Sequence, residues 1–500
     1  MTTGDKRRIS ALLAVLMLGL TACSSGTENA ETEGEQSQTA VQPQAEDAGG
    51  EAETAAEEDD GLRRDVKDEV PELDFGGAEF RSIAQDESGR CIYVEELNGE
   101  ALNDVVYANM TEIEDRFNVD VVQPNGINYN DISTTIVNAV RAGDNAYELV
   151  LGQMETSGAD ALKGVYLNWH DFPYIDFEKP WWPKNITKEA TVNGKMYVTV
   201  SDLSMYYAEQ TWTIVYDKVA AGNYGVEDLY ETVRQGKWTA DRLYDVTSAV
   251  YTDLDGDGER DEDDFYGFDS AMNGCLLAAY LYGFDQRLAA VKDGEVEMLL
   301  ETDKAASVFE YLHKLHYQSE GTLVPSAGTG NGDIYKPFVE GHSLFCPIQF
   351  QYIEKVLREY ENDFGVLPLP KWDESQSEYY SLADAGTNIM AVPVTAENID
   401  LIGAVVEAYS ADGWRTVLPT YYDVTLGAKA ARDMESKEMM DLILANRVMD
   451  FAYLYDGWNG WVFKLANFIQ QDGAYASTYK TNAKVVQKYY ERVLKFFNEG

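Results

Sequence analysis

Apolar and polar positions switch between two periods along most of this 500-residue chain. "AEFRSIAQ", from Ala78, reads as a strand. "NDVVYANMTEIEDRF" then places Val105, Met110, Ile113 and Phe117 near helical spacing. "NVDVVQP" is a second strand, and "DISTTIVNAVRAG" a second helix with Asp131 as N-cap and Gly143 near its end. "YELVLGQ" is a buried third strand. This β-α-β-α-β order predicts α/β architecture with a largely parallel sheet. The pattern resumes in the strands "TWTIVYD", "HSLFCPIQF", "FGVLPLP" and "TNIMAVP". Helices are predicted at "WTADRLYDVTSAVYT" with Thr239 as N-cap, at "ETDKAASVFEYLHKLHYQ" and at "YIEKVLREYE". Two more are predicted at "ENIDLIGAVVEAYSADG" and "AKVVQKYYERVLKFFNEG". The roughly 430 residues after Leu73 are too many for one core and suit two domains or lobes.

The first 62 residues follow neither period. Lys6, Arg7 and Arg8 precede an apolar run from Ile9 to Leu20. That is the order of a secretory signal peptide, here residues 1–22, and the run is too short to span a membrane comfortably. Cys23 follows "LTA" and resembles the lipobox cysteine of bacterial lipoproteins, whose thiol takes a diacylglycerol with palmitate-type chains. Ser24 to Leu62 holds twelve acidic residues, no Lys or Arg and no aromatic residue. Such a segment cannot bury enough apolar surface to offset its ordering entropy. Residues 23–72 are therefore expected to be a disordered acidic tether. No later run approaches the ~18 apolar residues of a spanning helix, so lipid at Cys23 is the expected membrane anchor.

Charge narrows the choice of partners. The formal net charge is −48; the basic start contributes +2 and the acidic segment −12, which leaves −38 on residues 63–500. A body this acidic repels nucleic acid, and disfavours an anionic ligand unless a pocket inverts the field. Cys91, Cys275 and Cys346 allow at most one disulfide, and buried free thiols are expected.

One acidic motif stands out. In "DLDGDGERDEDDFYGF", counting Asp253 as position 1 puts carboxylates at 1, 3, 5, 9 and 12: Asp253, Asp255, Asp257, Asp261 and Asp264. Gly258 falls where a calcium loop turns sharply, and Glu259 would offer its backbone carbonyl. Six to eight oxygens suit Ca²⁺. Asp264 is shorter than the usual Glu, and Arg260 replaces an apolar residue that pairs such loops. The expectation is a single structural Ca²⁺ clip between a helix and a strand.

Several segments together carry a family resemblance: "EDRFNVDVV", "RAGDNAYELVLGQMETSGADALKGVYLNW", "TWTIVYDKVAAGNYG", "FVEGHSLFCPIQFQYIEKV", and "FGVLPLPKWDE" with "ADAGTNIMAVPVTAEN". From about Phe80 onward the chain resembles bacterial extracellular solute-binding proteins of ABC importers. The group includes maltose-binding protein, and "PWWPK", "GKWTADRL" and "LPTYYDVTLGAKAARD" are similar to a Gram-positive lipoprotein subgroup. Asp217 stands where the family usually has Asn. The resemblance implies a two-lobed α/β fold with a hinge, ligand between the lobes, and closure that delivers ligand to a permease. It implies lobe I at 73–208 plus 372–430 and lobe II at 209–371 plus 431–500. It places Gln153, Met154, Glu155, Gln349, Phe350, Tyr352, Asp384, Trp458 and Trp461 at the cleft.

The chain has 33 Tyr, 18 Phe and 9 Trp. Sugars pack their C–H faces on such rings while carboxylates and amides take their hydroxyls, so an oligosaccharide is the expected solute. Trp181, Trp182, Tyr206, Tyr207 and Trp212 are further candidates, for which core packing is the competing reading. In "PWWPK" one Trp is expected to pack and the other to meet ligand. The expected protein is a monomeric, non-enzymatic receptor on the outer face of the cytoplasmic membrane. A secreted glycoside hydrolase and a surface carbohydrate adhesin are the rival classes. A hydrolase needs two carboxylates flanking a glycosidic bond, which 87 Asp and Glu residues leave open. No G-x-S-x-G, H-E-x-x-H or Walker A motif occurs.

Overall fold

Three strands with sealed apolar positions begin the first sheet: β1 (Ala78–Ala84), β2 (Val119–Val122) and β3 (Leu149–Gln153). The computed structural model describes residues 63–124, 127–226, 228–270, 274–324, 333–358, 360–426, 434–455, 469 and 475–499. Residues 63–72, expected to belong to the disordered tether, are instead packed on the body: Asp68 and Val70 are buried, and Asp68 pairs with Arg116 and Arg415. β1 pairs in parallel with both β2 and β3. β2 lies at the edge and alternates buried with exposed residues, while the interior strand β3 is buried along almost its whole length. The intervening helices cover the sheet. In Ala101–Phe117 the buried residues include Met110, Ile113 and Phe117, as the spacing predicts. The next helix, Tyr129–Ala142, starts earlier than expected: the side chain of Asn128, not Asp131, accepts the capping bond. Gly143 closes it at φ 70°, where a side chain would be strained.

The second sheet comprises β4 (Trp212–Asp217), β5 (Tyr251–Thr252), β6 (Phe265–Asp269), β9 (Thr322–Leu323), β10 (Ser343–Gln349) and β11 (Phe364–Leu367). Their order is β11-β4-β10-β6-β5, with β9 also on β6. This sheet is mixed, not largely parallel. β10 is parallel to β6, but β4 runs antiparallel to both β10 and β11. Likewise β12 (Asn388–Ala391) lies antiparallel on β3 in the first sheet. The reason is topological. β4 and β12 arrive from the opposite sheet rather than through a βαβ crossover, so nothing imposes parallel pairing.

A separate hairpin joins β7 (Ala289–Lys292) to β8 (Glu295–Met298). Asp293 and Gly294 form its turn at φ 53° and 79°. Both signs fit the Asp-Gly turn that matches strand twist, a short-range signal the longer apolar runs overshadow.

Three segments link the sheets side by side. Thr211 bridges Ala383, the Asp384 N–H donates to the Gln210 carbonyl, and the Trp212 N–H donates to the Leu382 carbonyl. The third segment joins through Ser381, which bridges Arg447 and accepts from the Val448 N–H. Beside this junction the buried Arg447 pairs with the buried Asp202 at 3.0 Å and lies 4.3 Å over the Tyr207 ring.

The helix Ile399–Asp412 is buried along most of its length. It carries Glu407 into the core, where the indole N–H groups of Trp181 and Trp182 donate to the two carboxylate oxygens at 3.0 and 2.9 Å. Both tryptophans are sealed, at 0% and 1% exposure. The expectation that one of them meets ligand is corrected: both N–H groups serve to satisfy a buried carboxylate. Cys91, Cys275 and Cys346 are buried free thiols.

Candidate functional site

In each sheet a strand runs directly into a helix through a Gln. Gln153 ends β3 and stands at the N-cap position of Met154–Ala161; Gln349 ends β10 and does the same for Phe350–Leu357. In open α/β sheets the crevice beyond the carboxyl ends of strands is where ligands bind. Here both junctions face the crossing segments. The Met154 N–H donates to the Thr387 carbonyl and the Phe350 N–H to the Thr211 carbonyl. Gly158 allows the first helix to sit close: a Cβ there would come within 1.9 Å of the Leu454 carbonyl oxygen.

The carboxylate of Asp384 anchors the junction. It accepts from Gln349 Nε2 at 3.0 Å and from the Gly386 N–H at 2.9 Å. Gln349 in turn accepts from Gln351 Nε2 at 2.7 Å, and Gln351 accepts from Lys355 Nζ at 2.8 Å. Burial raises the pKa of Asp384 above the usual carboxylate range, against the pull of Gly386, Cys275, Trp212 and Gln349. Glu155 is 7% exposed. Burial, reinforced by the charge of Asp384, pushes it up to about 8. The same two carboxylates raise the pKa of Cys275 beyond what its burial does. Charge on Asp384 also reaches Tyr335 and Tyr352, whose rings lie 5.0 Å apart. Nearby, Thr387 Oγ1 and both side-chain amide atoms of Asn388 are buried without a partner among the described residues. Asn388 is opposite Gln153 in the β12–β3 register.

The sequence candidates thus divide. Gln153, Glu155, Gln349, Tyr352 and Asp384 gather at the junction. Trp212 is beside them but sealed at 1% exposure, so the expectation that it meets ligand is corrected: its ring belongs to the core behind the junction. Met154 and Phe350 belong to the junction by backbone only: their side chains are sealed in the core at 3% and 0%. Tyr206 is half-buried, and its N–H donates to Cys91 Sγ at 3.4 Å. Tyr207 is fully buried under Arg447. Cys23, Trp458 and Trp461 lie outside the described residues.

Other residues at this face have no motif to announce them. Beyond the ends of β1 and β2, a cavity of ≈ 410 Å³ is lined by Arg90, Tyr93, Glu95, Asn98, Asn103 and Gln123 among others. That volume suits a small ligand. Arg90 forms an ion pair with the buried Glu209, just ahead of the crossing. Only the rule that strand carboxyl ends bind ligand could have pointed to Arg90 and Gln123.

The acidic loop is built differently from the expected clip. The helix before it ends at Thr247, and β5 then pairs antiparallel with β6, so the loop joins two strands. Asp253, Asp255 and Asp257 each offer an oxygen within 4.8 Å of the others. Gly256 and Gly258 both turn at φ 78°. Asp253 Oδ1 accepts from the Gly256 N–H and Oδ2 from the Gly258 N–H, at 2.6 and 3.1 Å. This all-oxygen set matches a hard cation such as Ca²⁺. Asp264 is turned away. It accepts from the Tyr251 hydroxyl at 2.8 Å and the Leu254 N–H at 3.1 Å, and Asp261 accepts from the Asp263 N–H.

No family model matches the chain, and no curated protein sequence matches it. Solved structures do. The sugar-binding protein MalE from Xanthomonas citri is 12% identical with a TM-score of 0.58, over 85% of this chain and 100% of that one. UgpB from Mycobacterium tuberculosis, in complex with glycerophosphocholine, is 16% identical with a TM-score of 0.53, over 84% and 99%. The GacH receptor of Streptomyces glaucescens, solved unliganded and with acarbose, is 16% identical with a TM-score of 0.51, over 83% and 99%. At these identities the likeness is one of architecture, and its conclusion is that this chain has the two-lobed α/β fold of maltose-binding-protein-like binding proteins.

Proposed function

We propose that the chain is an exported, lipid-anchored receptor that captures a small polar solute between its lobes and delivers it to an ABC importer. The solute class is an oligosaccharide. One observation carries this reading. Strand ends of both sheets converge at the crossing segments on carboxylates, amides and the Tyr352 ring, in a fold shared with proteins described as sugar-binding. UgpB, with its glycerophosphocholine, marks the breadth of solutes this fold takes. In this reading residues 73–208 and 372–430 form lobe I, and 209–371 and 431–500 form lobe II.

A thermal-shift screen of neutral and charged oligosaccharides should find a ligand that raises the melting temperature, since a solute at roughly 100 times its Kd stabilises by about 2.7 kcal/mol. X-ray scattering with that ligand should show a smaller radius of gyration as the hinge closes. Binding without compaction would favour an adhesin. Glu155 beside Asp384 also gives a specific reason to test hydrolysis, because a carboxylic acid with its pKa raised to about 8 is what a glycosidase acid requires. Release of reducing ends would replace the receptor reading. For the anchor, Cys23→Ser should move the protein from the membrane fraction to the medium; retention on membranes would refute lipidation at that residue.

For the acidic loop the reading is a structural Ca²⁺ held first by Asp253, Asp255 and Asp257, with the Glu259 carbonyl and Asp261 as further oxygens; Asp264, expected as a ligand, is engaged by Tyr251 and Leu254 instead. Chelation should lower the melting temperature by a few degrees and leave solute preference unchanged. The triple variant D253N/D255N/D257N should lose the response to chelator. A change of preferred solute on chelation would contradict a purely structural role.

A further inference from the structure

We propose that the solute carries a protonated amine, which Glu155 and Asp384 receive together; within the carbohydrate class this means an oligosaccharide of amino sugars with free amino groups. The inference rests on the receptor reading above. Glu155 is more than nine-tenths buried, yet among the described residues it makes no hydrogen bond and no ion pair. With so little of the side chain open to water, its charged form is disfavoured unless a cation meets it. Among the described residues the cations on neighbouring elements are engaged by other groups. Asp384 and Cys275 face it, and both disfavour its charge or gain nothing from it. On its own helix, Asp160 is bound to Lys163 at 2.5 Å. On the helix Phe350–Leu357, Lys355 is held by Gln351, and across the crossing Arg90 is paired with Glu209. Tyr453, on the neighbouring helix Phe451–Leu454, donates to the Ala383 carbonyl.

Two carboxylates without a counter-cation repel each other when both are ionised. The hydroxyl of a neutral sugar donates a hydrogen bond to one but leaves that repulsion in place, whereas an ammonium group offsets it. The neighbouring Tyr352 ring, only partly buried, suits a cation as well as a sugar face. A body of formal charge −38 over residues 63–500 draws cations toward it from a distance.

Titration calorimetry on the full chain at pH 7 tests this with three probes: a glucosamine trimer, its N-acetylated counterpart and maltotriose. The free-amine trimer should bind at least ~10-fold tighter than the acetylated one. Glu155→Gln should reduce that ratio to about 3-fold or less, and Asp384→Asn should do the same if the first variant folds poorly. If the acetylated trimer or maltotriose binds as well as the free amine, the amine inference falls and the receptor reading stands. If none of the three binds, the amine inference falls, and the oligosaccharide reading is decided by the thermal-shift screen.

Discussion

The full chain should be more stable at pH 5.5 than at pH 8, by several degrees in melting temperature. Four buried carboxyl groups set the sign. Burial pushes Glu155 and Glu407 from 4.5 up to about 8, Asp412 from 3.8 to about 7 and Asp450 from 3.8 to about 6. Each binds its proton more tightly in the folded state than in the unfolded chain. The folded state therefore holds more protons between the two values, and stability falls as pH rises through that window. One pKa unit corresponds to ~1.4 kcal/mol, so each Glu loses on the order of 3 kcal/mol between pH 5.5 and pH 8, as an upper figure. His316 acts the other way. Burial lowers it from 6.5 to about 4, so the unfolded chain takes up its proton first and stability is lost as pH falls below about 6.5. Burial lowers His170 as well, and these two His against the four carboxyls still leave the acid side ahead. Below about pH 4 the order reverses, because Asp68, held down to about 2 by Arg116 and Arg415, then begins to lose its ion pairs. Glu155→Gln isolates one contribution. It should raise the melting temperature at pH 8 by about 2–5 °C and flatten the pH dependence. A melting temperature that rises steadily from pH 5.5 to pH 8 would contradict the ionisation states assigned here.

Most strands and helices were legible because their apolar periods are long and clean. Both sheets' central strands, β3, β4 and β10, are buried along nearly their whole length and read as unbroken apolar runs. Pairing direction was not legible. It depends on which sheet a strand enters from, as β4 and β12 show, and no local pattern records that. The short strand β5 was hidden because two residues carry no period, so the acidic loop was expected to follow a helix. At the site, Glu155, Gln349 and Asp384 could be placed by resemblance because each follows or precedes a strand end. Arg90 and Glu209 could not, since an ion pair 119 residues apart in sequence appears only after folding. Trp181 and Trp182 misled for a physical reason: a Trp that stacks on sugar and a Trp that satisfies a buried Glu407 have the same sequence signature.

Replacing Arg447 with Met should be the most damaging single change at the crossing, costing about 3–5 kcal/mol. The guanidinium does three things at once. Its Nη2 donates to Asp202 Oδ1 at 3.0 Å, its Nε donates to the Leu444 carbonyl at 2.7 Å, and its plane covers the Tyr207 ring at 4.3 Å. Arg447 and Asp202 are 3% and 7% exposed at the side chain, so water cannot take over when one is removed. Burial already raises the pKa of Asp202, and Arg447 is the main charge opposing that rise. Without Arg447 the carboxyl must be protonated or stay charged in an apolar site, and the cost should therefore be smaller at pH 5 than at pH 8. Asp202→Asn combined with Arg447→Met should recover much of the loss, because it removes the stranded charge along with its partner. The pair also joins the segment ahead of β4 to the one after the helix Met434–Ala445, which packs on β11. Loosening it should let the lobes sample wider openings, seen as a larger radius of gyration in unliganded protein at temperatures well below melting. A denaturation midpoint unchanged in Arg447→Met would show that the pair holds nothing at the crossing. An unchanged radius with a lowered midpoint would confine its role to stability and leave lobe opening to the backbone bridges at Thr211, Ala383 and Ser381.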